Sequence, residues 1–168
     1  RYADVVVVSD SLLMQPPAVT MATPSDAGGS AVAMTAVPGA AAVYRGPWEF
    51  TQSGVHTVTT TVMTAGGSPF QFQRTFTATL VSPADGGTAR SADGTVTLRV
   101  PAGGVRGDTF VLVEGVSGEE AAFRIGPVGA LRSEAVLEIA YDPAVHAEPE
   151  RLRLVRREDG VEVPVPGE

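Results

Sequence analysis

Short runs in which apolar and polar residues alternate constrain this chain more than any other feature. In the run over residues 55–64, Val58 and Val62 fall on one face of a strand, and a row of threonines falls on the other. A period of two is that of a half-buried strand, and Val and Thr are residues that strands favour. Similar runs recur along the chain, separated by Gly, Pro, Asp and Ser. The only helical alternative is a single turn within residues 142–150, so we predict an all-β fold.

The alternating runs place the individual strands. In the first half we predict strands over residues 2–8, 18–22, 31–37, 42–50, 55–64 and 70–81, with a loop over 24–30. In the second half we predict strands over residues 95–100, 109–113, 121–125, 135–141, 151–155 and 161–165.

Residues 76–104 divide the chain. Two strand-like runs, 76–81 and 95–100, flank a segment of Pro, Gly, Asp and Ser that neither a helix nor a sheet interior accepts. Each half, at roughly 80 residues, is within the size range of small domains. We therefore predict two tandem antiparallel β-sandwich domains, residues 1–82 and 95–168, joined by a linker over 83–94.

The charge and cysteine content argue against several classes of partner. The net charge is −7, and all twelve basic residues are arginine, with no basic stripe. Nucleic acids and anionic lipids are bound by clustered cations, so we expect neither as a partner. No apolar run approaches the roughly 20 residues that span a bilayer, so no membrane insertion is expected. The absence of cysteine excludes disulfides and thiolate metal sites.

The first half carries a family resemblance. The stretch YRGPWEFTQSGVHTVTTTV, residues 44–62, resembles bacterial immunoglobulin-like domains, and the resemblance extends over about residues 2–81. In that family an aromatic residue after the glycine anchors a corner by hydrogen-bonding back to the backbone. His56 stands at that position here. The resemblance implies a corner role for His56.

The second half, about residues 88–168, resembles the ZU5 domain, a β-sandwich of cytoskeletal and cell-surface proteins with bacterial relatives. The similar segments are GTVTLRVPAGGV, DTFVLV, FRIGPVGALRSEAVLEIAYDP and LRLVRREDGVEVPVPG. The family continues with further strands, so the resemblance implies that this domain lacks its last strands or that another segment or chain completes it. The His-Phe-Ser tripeptide at which some members cleave themselves does not occur here.

Catalytic signatures are absent from the sequence. It contains neither a G-x-S-x-G elbow nor an H-E-x-x-H helix motif. Of its two histidines, His56 lies on the core-facing register of a strand and His146 follows a polar turn. We expect a structural role for the first and exposure for the second, and we predict that the protein is not an enzyme.

Two groups of residues are candidates for ligand binding. Tyr44 and Trp48 could stack on a sugar if both are exposed, and otherwise they pack in the core. Asp85, Asp93 and Asp108 lie in loops around the seam, where they could together bind Ca²⁺. The alternative is that these aspartates are turn formers that bond to the local backbone.

Together these features predict a non-catalytic structural or protein-binding module of a larger exported bacterial protein. As an accessory domain, secreted or on the cell surface, it would contact other domains of its parent protein or another protein. One alternative is a carbohydrate-binding module of a secreted enzyme, with a glycan as partner. The other is a strand-exchange assembly module, in which an open edge of the second domain accepts a strand from a partner or a second copy.

Overall fold

The computed structural model describes residues 2–11, 13–63, 67–116, 122–127, 130–140, 155–158 and 161–164. Over these residues the protein consists of antiparallel sheets and contains no helix, which confirms the predicted all-β class. Within the same ranges, nothing forms a long apolar helix of the kind that crosses a bilayer.

The strands follow one another along the chain as separate short segments. The first half contains β1 (Tyr2–Val8), β2 (Ala18–Thr23), β3 (Asp26–Val32), β4 (Thr35–Ala36), β5 (Val43–Glu49), β6 (Gly54–Met63) and β7 (Pro69–Val81). The second half contains β8 (Gly87–Arg90), β9 (Val96–Val100), β10 (Thr109–Val116), β11 (Ala122–Gly126), β12 (Val136–Ile139), β13 (Val155–Glu158) and β14 (Val161–Pro164).

The predicted loop over residues 24–30 holds only for the turn at Pro24 and Ser25 and is wrong beyond it, because Asp26–Val32 forms β3 and pairs with β2. Gly28 and Gly29 gave this segment the composition of a loop. In the structure the register shifts between Met21 and Thr23 of β2, and Gly29 has a φ of 78°. A left-handed residue beside a register shift is the usual geometry of a β-bulge, which explains the glycine.

Other segments also differ from the prediction. The predicted strand over 31–37 is split between the end of β3 and β4, which lie in different sheets. The segment predicted as a linker, 83–94, contains β8, which pairs with β9 and buries Ala89 completely. Of the predicted strand over 151–155, residues 151–154 lie outside the described residues, and Val155 begins β13 (Val155–Glu158), which pairs with β14. The predicted helical turn in 142–150 also lies outside them.

The sheets form three layers around one shared sheet. This central sheet has six strands in the order β11-β10-β7-β6-β2-β3. A first cover sheet, β1-β5-β4, packs on one of its faces, and a second cover sheet, β12-β9-β8, packs on the other. Because β10 pairs residues 109–113 with residues 77–81 of β7, the central sheet crosses the boundary between the two halves.

Alternation along the shared strands explains how one sheet serves two cores. On β7 and β10, Ala78 and Phe110 point toward the first cover sheet, whereas Val81, Val111 and Val113 point toward the second. The core under the first cover sheet contains Val7, Val19, Met21, Val32 and Tyr44. The core under the second contains Val81, Ala89, Val96, Leu98, Val100, Val105, Val111 and Val113. Two separate tandem sandwiches are therefore not confirmed.

Candidate functional site

Tyr44 and Trp48 both lie on the inward face of β5, opposite Val7 and Ala3 of β1. Tyr44 is only 9% exposed, and Trp48 is half-buried. The indole Nε1 of Trp48 is buried without a hydrogen-bond partner in the described part of the chain. Sugar stacking by these rings requires both of them to be exposed, and the structure buries Tyr44 in the core instead.

The three predicted calcium ligands lie in separate turns. Asp85 accepts a hydrogen bond of 3.1 Å from the hydroxyl of Ser82, and its own amide donates back to that hydroxyl. Asp108 lies between β9 and β10. Over the described ranges, no three His, Cys, Asp or Glu side chains lie close enough together to hold a metal ion. The structure therefore does not bring the three aspartates together.

Asp93 closes the turn between β8 and β9. Its carboxylate accepts hydrogen bonds from the hydroxyls of Ser91 and Thr95 and from the backbone amide of Thr95. These donors, with the Ser91 hydroxyl contributing most, hold the pKa of Asp93 below its ordinary value. The Ser91 hydroxyl also accepts a 3.0 Å bond from the amide of Val96. This turn network is a local structural element of the hairpin.

His56 is anchored to the backbone inside the protein. Its side chain is 1% exposed, and Nδ1 donates a 3.0 Å hydrogen bond to the carbonyl oxygen of Gly54. Because a carbonyl can only accept, the proton must be on Nδ1. This bond to a residue two positions earlier is the kind of backbone anchor predicted for a corner residue. His146 lies outside the described residues.

Four aromatic side chains, Phe50, His56, Phe76 and Phe110, form what we call the junction cluster. His56 stacks on Phe76, with ring centroids 5.7 Å apart and planes 11° from parallel. The ring of Phe50 contacts His56 edge-on, with ring centroids 5.3 Å apart, and its centroid lies 5.6 Å from that of Phe110. Phe110 comes from the second half of the chain, and the other three come from the first. The cluster therefore joins the two halves where they share the central sheet.

A polar cleft of about 470 Å³ opens where β7 and β10 separate, beyond the pair Thr77–Val113. In its wall, Glu114 is held between Arg74, at 3.8 Å, and Arg124, at 3.5 Å. Asp93 also lines the cleft, so its two arginines and two carboxylates cancel. The full lining comprises Gln73, Arg74, Thr75, Ala92, Asp93, Glu114, Gly115 and Arg124, a set without a histidine or a paired nucleophile and base.

The wet face of the β6–β7 hairpin carries a ladder of cross-strand hydrogen bonds. Thr57 and Thr75 share one of 3.2 Å, Gln73 donates to Thr59 at 3.1 Å, and Gln71 donates to Thr61 at 3.3 Å. Each bond joins residues that are directly opposite in the register. The ladder therefore fixes the pairing of the hairpin.

β1 presents an open edge. It is the terminal strand of the first cover sheet, and in the described part of the chain only β5 pairs with it. All of Tyr2–Val8 pairs with β5 without a break. On its outer face Val6 is 49% exposed and Val8 is 69% exposed, and Asp4 forms a 3.5 Å ion pair with Arg45.

Comparisons with known proteins do not identify the chain: no family model, no curated protein and no solved structure matches it. The resemblances to immunoglobulin-like and ZU5 domains stay predictions.

Proposed function

We propose that this chain is a non-catalytic structural or protein-binding β module of a larger exported bacterial protein. The main support for the proposal is that the two halves share one continuous central sheet. The junction cluster packs across the boundary between the halves and stabilises this arrangement. A module that spaces or presents its neighbours must keep a fixed geometry, and a shared sheet provides it.

The joint between the halves has two independent components. Backbone pairing between residues 77–81 and 109–113 ties β7 to β10 along the sheet. Packing of Phe110 against Phe50, with Ala78 fully buried beside them, ties the same strands to the first cover sheet. To move one half against the other would break ladder hydrogen bonds and expose aromatic surface at the same time, so hinge motion there is unfavourable.

The side chains that suggested chemistry have structural partners in this fold. Tyr44 packs in the first core, His56 bonds to backbone inside the junction cluster, and Asp93 closes a turn. In the proposed description, an immunoglobulin-like sandwich and a ZU5-like sandwich share one sheet. The resemblances to exported and cell-surface proteins support the secreted or surface location and a protein partner.

The fixed geometry can be measured with two spin labels on different cover sheets. The chain contains no cysteine, so Thr35→Cys and Val136→Cys give one label on each cover sheet, at exposed residues outside β1. The control pair, Thr35→Cys with Pro47→Cys, lies within the first cover sheet. We expect distance distributions of equal width for the two pairs. A much broader distribution between the cover sheets would overturn the proposal of a stiff module.

The absence of catalysis has its own test. The purified chain is assayed with protease, glycosidase and esterase substrates, and we expect no turnover above buffer. Turnover that disappears in His56→Ala or His146→Ala, while the variant keeps its fold by circular dichroism, would contradict the non-catalytic assignment.

A further inference from the structure

We propose that β1 is a self-pairing edge, through which two copies of this chain associate by forming an antiparallel β1–β1 ladder. The pairing would extend the first cover sheet from three strands to six across a twofold axis. It goes beyond the role of a structural module, because it assigns an interaction surface and its partner. It also lies in the first half, whereas the sequence had suggested an open edge in the second.

The edge lacks the features by which proteins normally prevent such pairing. Edge strands are usually short, bulged, or protected by proline or lysine. β1 has seven residues, YADVVVV, with an unbroken register against β5 and neither proline nor lysine. Its one charge, Asp4, is paired with Arg45 of the neighbouring strand. Among the described residues, no strand pairs with the outer edge of β1, so its outward backbone groups are available to another strand of similar length.

The other open edges of the described sheets are less suited to pairing. β3 also has seven residues, but a register shift and two glycines interrupt it. β12 has only four residues, and its Glu138 forms a bidentate ion pair with Arg99, with bonds of 2.9 and 3.1 Å. β4 has two residues, β11 has five, and β8, β13 and β14 have four each. β1 is therefore the longest regular edge among them.

The sequence of β1 favours a second copy as its partner. In an antiparallel twofold ladder centred on Val5, all seven residues pair, and no residue but Val5 meets its own copy. Exposed Val8 then lies opposite Tyr2 of the partner subunit, and exposed Val6 lies opposite Asp4 of the partner subunit. Apolar surface that is open to water in the single chain becomes covered, and no like charges face each other.

The neighbouring registers are worse for identifiable reasons. A ladder centred on Asp4 places two carboxylates directly opposite each other, which is destabilising. A ladder centred on Val6 leaves Tyr2 and Ala3 without partners. The register centred on Val5 is therefore the one that the charges and the strand length select.

Sedimentation equilibrium across a dilution series tests the association. We expect a reversible dimer with twice the 17.3 kDa mass of the chain. Val6→Asp places a carboxylate opposite Asp4 of the partner subunit twice in the ladder, and this like-charge contact should weaken the dimer by roughly tenfold or more. The matched control is Val136→Asp, the same substitution at an exposed valine of β12, which should leave the dimer unchanged. A chain that stays monomeric, or equal weakening by both variants, would overturn the proposal.

Single cysteines test the register. Opposite residues of antiparallel strands lie about 4.5–5.5 Å apart at Cα, which suits a disulfide. In oxidising buffer Val5→Cys should form the disulfide-linked dimer, and Val6→Cys should do so much less. Preferential cross-linking at Val6 would contradict the register. A monomer in these experiments would leave the stiff-module proposal intact, because the label distances test that proposal separately.

Discussion

Phe110 should stabilise both halves of the chain, although it belongs to the second half by sequence. Phe110 is 7% exposed, and its ring centroid lies 5.6 Å from that of Phe50. Truncation of a buried phenylalanine to alanine costs about 3–5 kcal/mol, because it removes apolar contact and leaves a cavity. We expect Phe110→Ala to lower the free energy of unfolding by that amount. A probe located in the first half should also report this loss of stability.

Urea denaturation with two probes measures this coupling. Fluorescence of Trp48, the only tryptophan, reports on the first half, and far-ultraviolet circular dichroism reports on all the sheets. The control is Leu80→Ala on β7, directly opposite Phe110. Because Leu80 is 42% exposed, its truncation should cost only about 1–2 kcal/mol. The coupling would be refuted if Phe110→Ala left the Trp48 midpoint unchanged or cost less than Leu80→Ala.

Three further predictions concern single side chains. His56→Ala should lower the free energy of unfolding by about 2–5 kcal/mol, measured in urea, because it empties the centre of the junction cluster. Gly86→Ala should lower the melting temperature far more than Gly94→Ala. Both glycines have positive φ, but a Cβ at Gly86 runs into a backbone carbonyl of β9, whereas Gly94 faces open space. Ser91→Ala should cost about 1–3 kcal/mol in urea, because it leaves a buried amide without its acceptor. Since the pKa of Asp93 is lowered in the folded state, its stabilising contribution is present above the ordinary value of 3.8 and is lost as the pH falls through the lowered pKa. In Ser91→Ala that acid-dependent loss should be smaller, as thermal melts below pH 3.8 would show.

Much of the strand content could be predicted, because alternation is a local property. The period of two placed His56 and Thr60 on one face of β6, and both side chains are 1% exposed. β3 and β8 could not be placed, because glycine and short length hide alternation and non-local pairing stabilises these strands.

Local sequence patterns could not predict that the two halves share the central sheet. Alternation shows which residues of a strand share a face, but not which layer covers that face. Val81 and Ala78 of β7 are both buried, on opposite faces, and only the positions of the two cover sheets explain this. The same limit applies to Tyr44 and Trp48. Their spacing placed them together, but only the packing of β5 over the central sheet decides that they face inward.

The most direct test of the shared sheet is a nuclear Overhauser measurement on the full chain in solution. The rings of Phe50 and Phe110 lie 5.6 Å apart, so cross-peaks between their protons should be as evident as those between the stacked rings of His56 and Phe76. If cross-peaks appear between His56 and Phe76 but not between Phe50 and Phe110, the two halves do not pack against each other, and the account is contradicted.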